Sequence, residues 1–123
     1  MIDLEFALKI HDRSISDYGG SQGIRDKGLL LAALARPYAT FDQQDLYQKA
    51  AAIFESIIIN HPFMDGNKRT AYVLLRATLY TFGFDIIAFQ EDKYNMTIAA
   101  SKGEIHIEEI KSWIRERLIV MNK

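Results

Sequence analysis

One short stretch of the sequence, His61–Thr70, brings together an imidazole, a carboxylate, an amide and two cationic side chains. In chain order it is His-Pro-Phe-Met-Asp-Gly-Asn-Lys-Arg-Thr. An imidazole can accept a hydroxyl proton near neutral pH, and a carboxylate can bind Mg²⁺. Cations neutralise the charge that builds up on a phosphoryl group during its transfer. The stretch therefore predicts a site that binds phosphate and supports group transfer.

The geometry expected of this stretch also favours an anion site. Pro62 disfavours a helical conformation at His61, and Gly66 permits a sharp turn and the close approach of a ligand. The next helix should begin near Asn67, with its first free backbone N–H groups at the positive end of the helix dipole. A cation such as Lys68 is unfavourable there unless an anion compensates it. Phosphate is an anion that helix N-termini commonly bind.

Each polar side chain of the stretch has a role in this hypothesis. His61 is the candidate general base, and Asp65 is the candidate Mg²⁺ ligand, since Mg²⁺ on a triphosphate needs only one or two protein carboxylates. Asn67 donates to a phosphoryl oxygen, Lys68 supplies a point charge, and Arg69 binds phosphate through two N–H groups. The predicted catalytic residues are His61, Asp65, Asn67, Lys68 and Arg69, and the predicted nucleotide-binding residues are Gly66, Asn67, Lys68, Arg69 and Thr70.

Other phosphate and metal motifs do not fit the spacing. A Walker loop requires a glycine five positions before a Gly-Lys pair, and the sequence contains no Gly-Lys pair. His61 and Asp65 are four residues apart and could share a metal on a helix, but Pro62 and Gly66 oppose a helix there. Two ligands without a third also make a poor zinc site.

Two apolar segments flank this stretch and must position it. The segment Asp45–Ile59 leaves almost no polar face, and the segment Thr70–Phe82 has Arg76 as its single charged residue. A helix that is apolar on nearly all sides is buried. The sequence therefore predicts a central buried helical hairpin whose connecting loop carries the candidate site.

The rest of the chain is also predicted to be helical, because apolar residues recur at spacings of three and four. A first helix, Leu4–Tyr18, should end at the glycine pair Gly19-Gly20. His11 lies on its apolar stripe and is expected to be a buried histidine with its hydrogen bonds satisfied. Asp26 is the expected N-cap of a second helix, which Pro37 stops.

The C-terminal third of the chain has a less regular pattern of apolar residues than the rest. The segment Phe84–Phe89 is compatible with a short strand or with an extended connector. Asp92 is the expected cap of a short helix, and residues 107–118 form a last amphipathic helix. Arg76 is expected to extend from its apolar helix to solvent, and Trp113 to belong to the core.

The composition is that of an ordinary soluble domain. The chain has 123 residues, a net charge of −1, 49% apolar residues and 25% charged residues, which favours one domain over residues 1–123 and excludes a disordered chain. The absence of cysteine excludes a disulfide scaffold and thiolate catalysis. With no apolar run of about 18 residues and no signal peptide, we expect a cytoplasmic protein. A pI of 6.3 argues against a bulk nucleic-acid binder.

The stretch 61–69 resembles the signature of the Fic/Doc family, His-x-Phe-x-Asp/Glu-Gly/Ala-Asn-x-Arg. Lys68 stands where nucleotidyl-transferring Fic proteins usually have glycine, and this lysine resembles the death-on-curing (Doc) branch. The flanking segments Tyr18–Gly20, Gly23–Asp26 and Ala99–Ile105 are also similar to Doc. The resemblance covers nearly the whole chain.

The resemblance implies an all-helical Fic fold and the toxin of a type II toxin–antitoxin system that uses ATP and Mg²⁺. In Doc, the γ-phosphate passes to a threonine hydroxyl of elongation factor Tu, which stops translation, whereas typical Fic proteins transfer AMP. Lys68 offers a physical reason for the difference. Its side chain would fill or recharge the space that glycine leaves for a phosphate, so that the nucleotide turns and its γ-phosphate faces His61.

The resemblance also indicates how such a protein is regulated. Many Fic proteins restrain themselves with a Ser/Thr-x-x-x-Glu-Gly/Asn helix, but no Glu of this chain is followed by Gly or Asn. We therefore expect inhibition by another chain, a Phd-like antitoxin whose disordered C-terminal segment folds onto the toxin. Arg25 lies in a loop that in this family is near the edge of the active site. It could equally pair with Asp26 or be a solvated surface charge.

Three other functions stay open at this point. The protein could transfer AMP to a protein hydroxyl, or it could be a non-catalytic scaffold that acts through its antitoxin. It could also be a toxin directed at RNA. The mildly acidic pI and the single compact basic cluster count against RNA binding.

Overall fold

A computed structural model describes residues 2–39 and 45–121 of the chain. The predicted domain, residues 1–123, also includes residues 1, 40–44 and 122–123, which lie outside the described residues. In chain order the elements are α1 (Leu4–Tyr18), α2 (Lys27–Ala35), a short 3₁₀ helix (Arg36–Tyr38), α3 (Leu46–Asn60), α4 (Asn67–Tyr80), β1 (Phe84–Ile86), α5 (Gln90–Ser101), α6 (Ile107–Arg117) and β2 (Leu118–Val120). The prediction of an all-α fold is confirmed, since helices make up most of the described chain.

The helices α3 and α4 form the predicted central hairpin. The two helices pack against each other along their length, and α1, α2, α5 and α6 surround them. On α3 the run Ala50–Phe54 is almost wholly buried, together with Ile57 and Ile58, and on α4 Leu74 and Leu75 are fully buried. This burial removes the apolar surface of both helices from water, which is the main source of their stability. The loop between them is held at one end of the core.

Aspartates cap α2 and α3 at their N-termini. The carboxylate of Asp26 accepts the N–H of Leu29 at 3.0 Å, and that of Asp45 accepts the N–H of Gln48 at 3.0 Å. Each carboxylate satisfies an N–H group that has no partner within its helix. The expected N-cap at Asp26 is confirmed. Pro37 lies inside the 3₁₀ helix that follows α2, where its fixed φ angle is tolerated.

The predicted cap at Asp92 is wrong. Helix α5 begins at Gln90, so that Asp92 lies inside its first turn. Its carboxylate accepts the indole N–H of Trp113 at 3.0 Å and two N–H groups of Arg117 at 2.5 and 3.0 Å. The guanidinium of Arg117 holds the pKa of Asp92 below its usual range. Asp92 therefore fastens α5 to α6, a partnership that the local sequence does not show.

The predicted last helix is too long by one residue, because Leu118 begins strand β2. Strand β2 pairs antiparallel with β1, and Ile86 lies opposite Leu118. This pairing makes Phe84–Ile86 a strand, one of the two alternatives left open by the sequence.

Arg76 is not simply extended to solvent, since its Nε and Nη2 donate to the carboxylate of Asp85 on β1 at 2.9 and 2.7 Å. None of the described helices has both the length and the apolar character needed to cross a membrane.

The burial of α3 predicts a sharp contrast between two neighbouring isoleucines. Ile57 is fully buried, whereas Ile59 is 43% exposed. Ile57→Ala should lower the free energy of unfolding by about 2–5 kcal/mol, because it leaves a cavity in the core. Ile59→Ala, the matched control, should change it by no more than about 0.5 kcal/mol. Urea unfolding followed by circular dichroism measures both, and equal losses would contradict the orientation of α3.

Candidate active site

The loop between α3 and α4 opens into a cleft of about 860 Å³. The walls of the cleft are α1, the loop, the first turns of α4 and the outer face of α5. A volume of this size lies within the range of small-molecule sites. The predicted residues that line it are His61, Asp65, Gly66, Asn67, Lys68 and Arg69. The structure thus brings six of the seven predicted site residues to one cavity.

His61 ends α3 in a left-handed conformation. Its φ and ψ angles are 49° and 59°, and it is the only non-glycine residue of the described chain with a positive φ. Its backbone N–H still donates to the carbonyl of Ile57 at 3.1 Å, so that it closes the helix. Pro62 disfavours a right-handed helical conformation at this position, as the sequence indicates. The chain turns here, and the exposed imidazole lies on the wall of the cleft.

The carbonyl groups at this turn are held by the segment before α2. The guanidinium of Arg25 donates to the carbonyl of His61 at 2.6 Å and to that of Asn60 at 2.5 Å. The carbonyl of Pro62 accepts the backbone N–H groups of Arg25 and Asp26 at 2.7 and 3.0 Å. No described side-chain contact joins Arg25 to Asp26, so that expectation is wrong. The side chain is exposed, as expected of a solvated charge, but its guanidinium is also bound to the carbonyls at the end of α3.

A buried ring stack fixes the next part of the loop. Phe63 is 1% exposed, and its ring stacks on His11 with a centroid distance of 3.9 Å and an interplanar angle of 5°. The Nε2 of His11 lies 2.8 Å from the backbone carbonyl of Asp65 and must carry the hydrogen, because a carbonyl can only accept. His11 is thus a buried, hydrogen-bonded histidine as expected. It also anchors the loop, which the sequence did not reveal.

The side chain of Asn67 clamps the loop from the other side. Its Oδ1 accepts the N–H of Phe63 at 3.0 Å, and its Nδ2 donates to the carbonyl of Phe63 at 3.1 Å. The predicted contact between Asn67 and a phosphoryl oxygen stays a prediction, for which the second N–H of the amide is left. Gly66 precedes α4 in a left-handed conformation with φ of 72°, where a Cβ would come within 3.1 Å of Ile15.

Asp65 presents an ionised carboxylate at the edge of the cleft. Its oxygens accept the N–H groups of Gly66 at 2.9 Å and of Ser21 at 3.2 Å. These two donors hold the pKa of Asp65 below its ordinary value. Gly20, with φ of 117°, is needed beside it, because a Cβ there would lie 2.7 Å from the carboxylate. No local pattern in the sequence links Gly20 or Ser21 to Asp65.

Two exposed cations lie on the first turn of α4. Lys68 and Arg69 both line the cleft, and no described carboxylate forms an ion pair with either of them. The guanidinium of Arg69 lies 5.0 Å from the centre of the Tyr18 ring, a cation–π contact. Positive charge is therefore concentrated at the positive end of the α4 dipole, where an anion would be stabilised.

Thr70 is placed differently from the other predicted nucleotide-binding residues. Its side chain is fully buried, and Thr70 does not line the cleft. As the fourth residue of α4 it lies on the face turned to the core, and its N–H donates to the carbonyl of Gly66 at 3.0 Å. Its contact with a nucleotide stays a prediction, which this placement does not support.

Helices α1, α4 and α5 supply further cleft residues that were not predicted from the sequence. Burial raises the pKa of the Tyr72 hydroxyl to about 12, so that it stays neutral at physiological pH. The missed residues with polar side chains include Arg13, Asp17, Tyr18, Tyr72, Gln90, Lys93, Tyr94 and Thr97. Most of them lie far from the loop in sequence, and no local motif marks them. Among the described residues no group of three or more His, Asp or Glu side chains could hold a metal, so Asp65 would need oxygens from a ligand.

The comparison with known proteins gives the family. The model of the Fic/DOC family matches residues 1–79, a range that contains α1, the loop and nearly all of α4. The chain belongs to the Fic/Doc family. Of the residues that carried the resemblance in the sequence, 61–69, all but Pro62 and Phe63 line the cleft.

Two relatives belong to the Doc branch. "Protein kinase doc" of Escherichia phage P1 is 30% identical over 118 residues, which cover 93% of this chain and 92% of that protein. "Toxin Doc" of Mycolicibacterium smegmatis is 44% identical over 75 residues. That alignment covers 58% of each chain, so this match spans less than two thirds of the mycobacterial protein.

The clamp between Asn67 and Phe63 predicts a stability effect. Asn67→Ala removes the acceptor of a buried N–H group, which should cost about 1–3 kcal/mol of unfolding free energy. Hydrogen exchange at the Phe63 amide should accelerate in parallel, because that amide loses its bond. Asn95→Ala, at an exposed position of α5, is the matched control and should leave both quantities nearly unchanged. Unaltered exchange at Phe63 in Asn67→Ala would contradict the clamp.

Proposed function

We propose that this protein is the toxin of a toxin–antitoxin pair and that it transfers the γ-phosphate of ATP to a hydroxyl group of a protein. One observation carries the proposal. The exposed imidazole of His61 and the cation-bearing N-terminus of α4 line the same cleft. The relatives named "Toxin Doc" and "Protein kinase doc" support the toxin role and the kinase reaction.

The charge of the cleft suits a triphosphate. Cationic side chains outnumber carboxylates on its walls, so that an anion of several charges is attracted. The cations are Arg13, Lys68, Arg69, Arg76 and Lys93, and the carboxylates are Asp17 and Asp65. Arg13 and Arg76 are already paired with Asp17 and Asp85, which leaves Lys68, Arg69 and Lys93 for the phosphates. The aromatic and apolar groups of α5 and Tyr72 provide the less polar part of the wall.

The residues present also fit a Mg²⁺ ion. Asp65 is the residue that would hold it, since its carboxylate is exposed, ionised and kept in place by two backbone N–H groups. Each of its oxygens has a lone pair left for a metal. Bound Mg²⁺ neutralises charge on the phosphates of a nucleotide.

In the proposed reaction, His61 accepts the proton of the protein hydroxyl as its oxygen attacks the γ-phosphorus. A bond forms between that oxygen and the γ-phosphorus, and the bond from the γ-phosphorus to the β–γ bridging oxygen breaks. ADP leaves, and the proton stays on the imidazole until solvent removes it. Lys68 and Arg69 stabilise the charge on the transferred group.

Lys68 is proposed to select phosphate transfer over AMP transfer. It occupies the position at which nucleotidyl-transferring Fic proteins usually have glycine, and it lies on the cleft wall. The lysine side chain would fill the position of one phosphate group of the nucleotide, or would change the charge at that position. The nucleotide would then bind with its γ-phosphate towards His61.

The target and the regulation follow from the resemblance. We propose elongation factor Tu as the acceptor in the cytoplasm, with inhibition of translation as the result, and a Phd-like antitoxin as the inhibitor. AMP transfer to a protein hydroxyl is the alternative reaction. A non-catalytic scaffold that acts through its antitoxin is the alternative from another class.

Labelled ATP separates the two reactions. We expect label from [γ-³²P]ATP, and not from [α-³²P]ATP, to appear on purified elongation factor Tu incubated with this protein and Mg²⁺. His61→Ala should lower the rate by about 10²–10⁴-fold, because the proton acceptor is lost. His106→Ala, which alters a histidine outside the cleft, is the control and should retain the rate. Transfer of the α label would support AMP transfer, and equal growth arrest by wild type and His61→Ala would support the scaffold.

The role of Lys68 has its own test. Lys68→Gly should transfer label from the α position, or lose transfer altogether, because the nucleotide regains the space that lysine takes. Lys102→Gly is the control, since it makes the same change at a position outside the cleft. Transfer of γ-phosphate by Lys68→Gly at the wild-type rate would contradict this account of Lys68.

A further inference from the structure

The side chain of Arg25 contacts the backbone of Asn60 and His61 and does not line the cleft. Its Nε donates to the carbonyl of His61 at 2.6 Å, and its Nη2 donates to the carbonyl of Asn60 at 2.5 Å. Arg25 is not among the residues that line the cleft. Its side chain is therefore bound to the peptide groups that carry the His61 imidazole and not to the wall of the cleft.

The carbonyls of Asn60 and His61 are well matched by a cationic side chain with two N–H groups. The last carbonyls of α3 have no partner within the helix and lie at the negative end of its dipole, which favours a cation. The left-handed backbone of His61, with φ of 49°, is unusual for a residue with a Cβ. Such a conformation persists where the surroundings impose it. The guanidinium supplies part of that constraint.

The geometry of arginine suits both of these bonds. The backbone N–H groups of Arg25 and Asp26 hold the carbonyl of Pro62, and any non-proline residue at position 25 would keep that contact. The two guanidinium bonds depend on the side chain, whose planar fork can bind both carbonyls at once. The ammonium of a lysine has three N–H donors but lacks the planar fork, so it matches that geometry less well.

We propose, on the basis of the function proposed above, that Arg25 is a positioning residue for His61. It holds the carbonyls of Asn60 and His61 so that the imidazole stays directed at the hydroxyl of the acceptor. The side chain of Arg25 is exposed to solvent. Water can therefore replace its bonds after substitution, so that the fold is retained while the imidazole is no longer fixed.

The experiment compares Arg25→Ala and Arg25→Lys with Lys27→Ala, which removes an exposed cation from the same segment. Initial rates with [γ-³²P]ATP and elongation factor Tu give kcat and the KM for ATP. The ¹³Cε1–¹Hε1 resonance of the His61 imidazole, assigned by its absence from His61→Ala, reports the imidazole in the full-length protein. Urea unfolding confirms that each variant is folded.

In Arg25→Ala, kcat should fall on the order of 10²-fold, the cost of a small misplacement of a reacting group, while the KM for ATP stays at the wild-type value. The His61 resonance should shift or broaden. Arg25→Lys should lie between Arg25→Ala and wild type. Millimolar guanidinium should restore part of the kcat of Arg25→Ala, and sodium chloride at equal ionic strength should not.

The outcomes separate the two proposals. Equal kcat in Arg25→Ala and Lys27→Ala would overturn the positioning role, and so would a raised KM with an unchanged His61 resonance. If wild type transfers label and the His61 resonance is insensitive to Arg25, the positioning role fails and the proposed function stands. If wild type transfers no label but Arg25→Ala shifts the resonance, the proposed function fails and Arg25 still positions His61.

Discussion

The arrangement of the site depends on how the carbonyl groups at the end of α3 are satisfied. A helix leaves its last carbonyls without partners, and this one ends at exposed residues beside a loop that turns sharply. The segment before α2 supplies the missing donors, through the backbone of Arg25 and Asp26 and the guanidinium of Arg25. The result is a left-handed His61 whose imidazole lies on the wall of the cleft.

The loop that follows is held by several contacts although it is not part of a regular element. The stacked rings of His11 and Phe63, the amide of Asn67 and a short antiparallel bridge between Ile24 and Phe63 bind it to α1, to α4 and to the segment before α2. The core contacts of the loop do not involve the side chains of Asp65, Lys68 and Arg69, which are exposed and line the cleft. A preorganised backbone with polar side chains directed outward is what electrostatic stabilisation of a transferred group requires.

The sequence predicted the parts of this arrangement that depend on local chemistry. The apolar faces of α3 and α4, the cap at Asp26 and the loop start at Pro62 follow from periodicity and from backbone restrictions, and the structure confirms them. The pairing of β1 with β2 and the bonds of Asp92 to α6 join residues far apart in sequence, so no local pattern reveals them. The bonds of Arg25 were not predicted for the same reason, and the burial of Thr70 was not predicted because a linear motif does not show which side of a helix faces the core.

The proposed function requires the N-terminus of α4 and His61 to contact one nucleotide. A titration of the protein with ATP and Mg²⁺, followed by NMR at the His61 imidazole and at the amides of residues 67–69, tests this requirement. These signals should shift together with a single Kd, while the signal of His106, which lies outside the cleft, should not move. A titration in which the amides respond and the His61 imidazole does not, or in which neither responds, would contradict it.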